Sequence, residues 1–348
     1  MDRHGTDCLL VSVGSDLPYL TGYSAMPLER LTMLVLPADD EPTLVVPRLE
    51  APRVEPGPFG VRAWDEHEDP VAIVAALAGR PTVAAMGDQT WSVFLMELLS
   101  LLPETTFVPA STVVGPLRAI KDVAEVDALR RAAQAVDRVA ARIPHEMRLV
   151  GTTERDVARR IAEMTVEEGH DEATFRIVAS GPNGASPHHE SGDRVVQVGD
   201  VVVIDFGGTL DGYCSDTTRT FVAGQPTAQV SEVHAVVEQA QRAGREAAEE
   251  GVSAESVDDA ARSVIIDAGY GEYFIHRLGH GIGLDGHEDP YLVEGNTTLL
   301  RPGHAFSIEP GIYLPGQFGV RIEDIAVISE DGSLEVLNQS PRDLVSVD

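Results

Sequence analysis

The segments GTTERDVARRIAEMTVEEGH, beginning at Gly151, and GVSAESVDDAARSVIIDAGY, beginning at Gly251, lie 100 residues apart and share one plan. Each opens on glycine and capping-type Ser or Thr, runs on at helical spacing, and closes on Gly169 or Gly269 where a left-handed residue would end a helix. Each is preceded by a second helical run, at 122–142 and at about 229–249, and followed by a strand-like run. An internal repeat constrains the whole fold, because a unit this small buries its apolar face only against its neighbour. The expectation is two related units, each of two helices and a sheet segment, packed as helices over one curved antiparallel sheet. A site between the two halves follows naturally.

Upstream of the repeat the pattern changes. Short apolar runs (DCLLVS, LTMLVLP, TLVVP, TVAAMG, TFVPAS) alternate with the helical stretches PVAIVAALAG and WSVFLMELLSLL. That alternation predicts a small N-terminal α/β domain over residues 1–116. A long helix follows Pro116, from roughly Asp122 to Arg142, with Val123, Val126, Leu129, Ala133, Val136, Val139 and Ala140 at helical spacing. The second domain is read as 117–348, and the chain as a whole as α+β.

The charge balance narrows the partners. Asp and Glu number 56 against 26 Lys and Arg, a net charge of −30, so the average surface repels phosphates and acidic lipids. Only one basic residue is lysine, Lys121, and no basic block could form a strand-binding stripe. Nucleic acid and membrane are therefore not expected partners. The two cysteines, Cys8 and Cys214, have no CxxC spacing and cannot build a disulfide framework, which fits a reducing compartment, the cytoplasm by default. The N-terminal apolar run is too short for a signal peptide, and no run of about 18 apolar residues occurs.

The chemistry concentrates in a few strings. HRLGHGIGLDGHEDP, residues 276–290, sets three histidines among glycines that let backbone approach closely. DVVVIDFGGTLDGYCSDTTRTFV places Asp205 and Asp216 on either side of a Gly-rich turn, and AFSIEPGIYLPGQFGVRIEDIAVI places Glu309 and Glu323 about a midpoint at Gly316. A hairpin in each would bring two carboxylates near one another. The register of the first stays open: Asp211-Gly212 as a two-residue turn sets Asp216 opposite Gly207, while a bulge or longer loop would set it elsewhere. Four carboxylates converging in a core repel one another unless cations neutralise them. With His280 as imidazole they form a hard, oxygen-rich site for two divalent metals.

The ordered set Asp205, Asp216, His280, Glu309, Glu323 and the strings SGPNGASPH, IDFGGTLDGYCSDTTRT, LGHGIGL, SIEPGIY and VRIED closely resemble the pita-bread metallopeptidases, in the branch of Xaa-Pro dipeptidases (prolidases) and Xaa-Pro aminopeptidases. The resemblance runs from about Asp122 to the C-terminus and is weaker over the first 116 residues. It implies a dinuclear site of manganese, cobalt or zinc, manganese first, in a pseudo-symmetric fold. It further implies that Asp216 and Glu323 bridge both metals, that Asp205 completes one, and that His280 with Glu309 completes the other. Glu309 doubles as general base, His188 and His287 steady the substrate carbonyl and the tetrahedral intermediate, and Arg321 positions acidic partners or the substrate. The implied substrates are small peptides with proline second, the implied assembly a homodimer. His189, His276 and Cys214 receive no role and read as structural or peripheral.

Two departures from the family stand out. A strand-like run arrives at residue 7, with no helix ahead of it, so the first domain looks trimmed and substrate-length selection is in doubt; HHESGDR after Pro187 is idiosyncratic. Methionine aminopeptidases share the ligands but generally lack the separate first domain, and creatinase-like amidinohydrolases have lost the ligands. A non-catalytic binding protein on this scaffold would lose ligands and gain basic segments, and neither has happened here. Dipeptidase is favoured over Xaa-Pro aminopeptidase by the compact chain alone.

Overall fold

Cys8 and Leu10 face one side of the first strand while Leu9 and Val11 face the other, and all four are buried. A strand buried on both faces must lie between two layers of helices, and this one does. The structure, a computed structural model, describes residues 5–348 and falls into two units, Met1–Arg118 and Ala119–Asp348.

In the first unit, strands β1 (Cys8–Val11), β2 (Met33–Pro37), β3 (Thr43–Pro47), β4 (Gly60–Trp64), β5 (Val83–Met86) and β6 (Thr106–Pro109) form one mixed sheet in the order β4-β3-β2-β1-β5-β6. Helices α2 (Pro70–Ala78) and α3 (Ser92–Leu101) cover one face with Val71, Val74, Phe94 and Leu98. Helices α1 (Asp16–Thr21) and α4 (Ser111–Ala119) cover the other with Leu17, Val113 and Val114. Strand β4 and helices α1 and α4 are additions to the sequence reading. They are short or carry Gly and Pro, so their periodicity is faint.

The second unit carries the repeat. Helix α5 (Val123–Glu146) starts at a capping box, Asp122 accepting from the Glu125 N–H while Glu125 accepts from the Asp122 N–H. Helix α6 (Glu154–Glu167) is capped by Thr153 and α8 (Ala254–Asp267) by Ser253, and Gly169 and Gly269 both follow in the left-handed region. The equivalence reaches the backbone: Thr153 bridges Val195 as Ser253 bridges Leu299. With α7 (Ala228–Ala247), each half has two helices over sheet.

The sheet is assembled from two five-stranded halves. The first runs β18-β10-β8-β7, built from β7 (Glu172–Ser180), β8 (Val201–Leu210), β10 (Thr217–Ala223) and β18 (Val345–Val347), with β9 (Tyr213–Cys214) beside β8. The second runs β12-β11-β13-β16-β17, from β11 (Gly279–Gly281), β12 (Glu288–Leu292), β13 (Ala305–Ile308), β16 (Asp324–Ile328) and β17 (Leu334–Val336). Pairings within both halves are antiparallel except β10 with β18. A hairpin of β14 (Gly311–Leu314) and β15 (Phe318–Arg321) completes the unit, and one antiparallel bridge, Thr218 to Glu323, joins the halves. Among the described residues no helix is long and apolar enough to cross a membrane.

Candidate metal centre

Register delivers the carboxylates. Leu210 pairs with Tyr213 across Asp211 and Gly212, whose φ values of 52° and 81° make the two-residue turn that antiparallel strands favour. The same register continues to Thr217 opposite Phe206 and Thr218 opposite Asp205, which sets Asp216 level with Gly207 and needs no bulge. Asp205 and Asp216 are thus diagonal neighbours on one face, Thr218 between them, rather than directly opposed. On the other side, Ile308 pairs with Asp324 and Gly311 with Arg321, so Glu309 stands opposite Glu323 where one ladder ends and the next begins. The Thr218–Glu323 bridge then closes the two hairpins onto each other.

All five residues converge. Ligand atoms of Asp205, Asp216 and Glu323 lie within 4.8 Å of one another, as do those of His280, Glu309 and Glu323, and those of Asp216, His280 and His287. Asp216, His280 and Glu323 each belong to two of these groups, so the three groups form one connected cluster of ligand atoms. Three buried oxygens, Asp205 Oδ1, Asp216 Oδ1 and Glu323 Oε1, have no hydrogen-bond partner among the described residues. Unpartnered buried carboxylate oxygens are costly unless something positive meets them. Burial pushes Asp216 and Glu323 well above the usual carboxylate range, and the charges of their neighbours push further. This donor set fits two hard divalent cations.

The imidazole is prepared for the same task. His280 Nδ1–H donates to the Gly281 carbonyl at 3.0 Å, leaving Nε2 directed at Glu309 (3.3 Å) and Asp216 (3.8 Å). Burial works against the charged ring, yet Glu309 more than offsets it and raises the His280 pKa. Burial likewise works to raise Glu309, but His280 holds it down to about 2. The His287 ring stacks on His280 with centroids 3.7 Å apart, and burial together with the His280 charge depresses it to about 4.

A cavity of about 330 Å³ opens over these groups, lined also by His188, His276, Arg277, Phe175 and Ile177. Arg321 is fully engaged with protein: Nη2 donates to Asp205 at 2.5 Å, Nε to Thr218 Oγ1 at 3.0 Å and Nη1 to the Tyr313 hydroxyl at 2.9 Å. Of the two roles read for it, holding an acidic partner is the one its contacts serve. His276, read as peripheral, lines the cavity instead, its Nε2 2.8 Å from the Tyr313 hydroxyl. It stands four residues before His280 in the same glycine-rich string, which was the available signal; Phe175 and Ile177 carried none beyond strand alternation. His189 and Cys214 do not line the cavity.

Two glycines of that string, Gly279 and Gly281, are explained by strand contact, whereas Gly286 lines the cavity. A β-carbon on Gly279 would lie 1.9 Å from the Ser307 carbonyl oxygen, and one on Gly281 would lie 2.2 Å from that of Asp289. No other residue lets β11 pass so closely between its neighbours.

Residues 127–330 match metallopeptidase family M24, and residues 1–120 match the creatinase/prolidase N-terminal domain. A probable dipeptidase, PepE, of Mycobacterium tuberculosis is 48% identical, over 97% of this chain and 92% of its own length. An Xaa-Pro dipeptidase of Lactobacillus delbrueckii subsp. lactis is 36% identical over 95% of this chain and 93% of its own. The crystal structure of a recombinant prolidase from Thermococcus sibiricus superposes with a TM-score of 0.95 at 40% identity, covering 99% of this chain and 96% of that one.

Proposed function

The chain belongs to metallopeptidase family M24, a hydrolase of the prolidase branch, and from that premise we propose that it cleaves the peptide bond preceding proline in Xaa-Pro dipeptides. The observation that carries this reading is the set of four carboxylates and one imidazole beneath a cavity near the lower end of the range for ligand pockets, which suits a short substrate better than a long one.

Asp205, Asp216 and Glu323 would hold one divalent cation, and His280, Glu309, Glu323 and Asp216 the other. Manganese is the first choice and cobalt or zinc the alternatives, since oxygen donors with a single imidazole suit a hard ion. Bound there, the pair supplies the Lewis acidity that makes a water nucleophilic near neutral pH. Glu309, kept ionised by His280, takes the proton released as that water attacks and returns it to the departing nitrogen. His287 and His188 donate to the substrate carbonyl as it becomes an oxyanion. Arg321 holds Asp205 and Thr218 in place and does no chemistry itself. A cytoplasmic homodimer accompanies this reading: two cysteines that form no disulfide fit a reducing compartment, and the dimer is what the family resemblance implies.

The test is one assay of the metal-loaded enzyme on Leu-Pro and on Leu-Pro-Gly. Turnover of the dipeptide with little of the tripeptide is expected. Good hydrolysis of Leu-Pro-Gly with Leu-Pro ignored would make the protein an Xaa-Pro aminopeptidase.

A further inference from the structure

The one lysine among 26 basic residues is buried. The Lys121 side chain is 1% exposed, and its ammonium pairs with Glu288, itself 10% exposed. An ion pair withdrawn this far from water returns little net stability, because desolvating both charges offsets their attraction, and apolar side chains of similar size would serve the fold as well. Its location suggests another purpose.

Both ends of the pair are anchored. The Lys121 N–H donates to the Gly303 carbonyl at 2.9 Å, and Ile120 bridges His304, so the base of the lysine is fixed to the segment that enters β13. Glu288 is the residue after His287 and the first of β12, paired in register with Gly281. A β-carbon on Gly283 would sit 2.6 Å from Glu288 Oε1 and 3.1 Å from Lys121 Cε, so the pair passes directly over that glycine and fills the room it leaves. The turn between Gly283 and Glu288 carries His287, whose ring is exposed on one side and stacked on His280 on the other. A compact ammonium fits this enclosed space, whereas the flat fork of an arginine needs partners spread in a plane. That accounts for a lysine here in a chain that otherwise uses arginine.

We infer that the Lys121–Glu288 pair is a positioning device for His287, fixing the turn so that its imidazole is held against His280 and over the substrate carbonyl. The inference rests on the role proposed above for His287. Lys121 and Glu288 touch no substrate; they act through the loop.

A double-mutant cycle on the metal-loaded enzyme tests it, with metal content, kcat and KM on Leu-Pro measured for Lys121→Met, His287→Ala and the two combined. Lys121→Met is expected to keep its metal and KM within about twofold while kcat falls about tenfold or more, the scale for losing a group that orients a functional side chain. In the His287→Ala background the same change should cost kcat less than about twofold, because the residue it positions is gone. In the zinc-loaded protein, the Cε1–H resonance of His287, identified by its absence from His287→Ala, should move toward the free-imidazole position in Lys121→Met. Lys121→Arg should not restore kcat. Equal losses in both backgrounds, or an unshifted resonance at wild-type kcat, would overturn the inference and leave the proposed function standing. Wild-type kcat in His287→Ala would instead remove the role of His287, and this inference with it. If Lys121→Met does not fold, Lys121→Met/Glu288→Leu, which removes both charges of the pair, takes its place in the cycle with the same expected outcomes.

Discussion

Thr218 grips Glu323 twice: its carbonyl accepts the Glu323 N–H at 3.1 Å, and its hydroxyl donates to Glu323 Oε2 at 2.7 Å. The same hydroxyl accepts from Arg321 Nε, and Arg321 in turn holds Asp205. A threonine with no place in the ligand set therefore joins the halves of the sheet and aims two carboxylates. Thr218→Val keeps the volume and the backbone bridge but loses the hydroxyl. Its expected effect is a 10–100-fold weaker metal affinity, the usual scale for such partners, read by titrating metal into the chelated protein. Unchanged affinity would assign the bridge to folding alone.

Chelation should abolish activity, with manganese or cobalt restoring it. The melting temperature should fall as well, since removing ligands that bind only the native state removes their stabilisation and leaves buried carboxylates facing one another. Full activity in a rigorously metal-free preparation would end the dinuclear reading.

The histidines divide by role. His280→Ala should lose metal, because an imidazole 3.3 Å from Glu309 and 3.8 Å from Asp216 is removed from between them. His188→Ala and His287→Ala should retain both equivalents and lose about 10²-fold or more in kcat, the scale for a deleted transition-state donor. Metal analysis beside kcat decides; the reverse pattern would refute the assignment.

Acid should unfold the protein through histidines remote from the cavity. Burial depresses His234 and His304 to about 4 from an ordinary 6.5, with the charges of Lys121 and Arg301 contributing at His304. Above pH 6.5 both are neutral folded or unfolded and contribute nothing. As pH falls from 6.5 toward 4 the unfolded chain takes up protons that the folded one refuses, so stability declines by up to about 3 kcal/mol per histidine and levels off below that range. Urea midpoints between pH 7 and 4 should show the decline, and His234→Gln should flatten it. An unaltered slope in that variant would mean that His234 is protonated in the fold.

Much of this protein was legible before its fold was known, and for identifiable reasons. The repeat at Gly151 and Gly251, its caps, the Asp211-Gly212 turn and the midpoint at Gly316 are all local, set by residues a few positions apart, and a two-residue turn determines the register of everything beyond it. Hence the residues Asp205, Asp216, His280, Glu309 and Glu323, and their order, could be named from spacing and resemblance alone. Local spacing left one alternative at the first hairpin, which the pairing of Thr218 with Asp205 resolved without a bulge.

What only the tertiary structure decided lies between segments far apart in the chain. Thr218 meets Glu323 across 105 residues, and Lys121 meets Glu288 across 167. His276, in the loop before β11, faces the cavity with its Nε2 on the hydroxyl of Tyr313 from β14. No periodicity encodes such meetings. They follow from how two repeated halves pack, and packing depends on the shapes of all the side chains between them rather than on the spacing of any few.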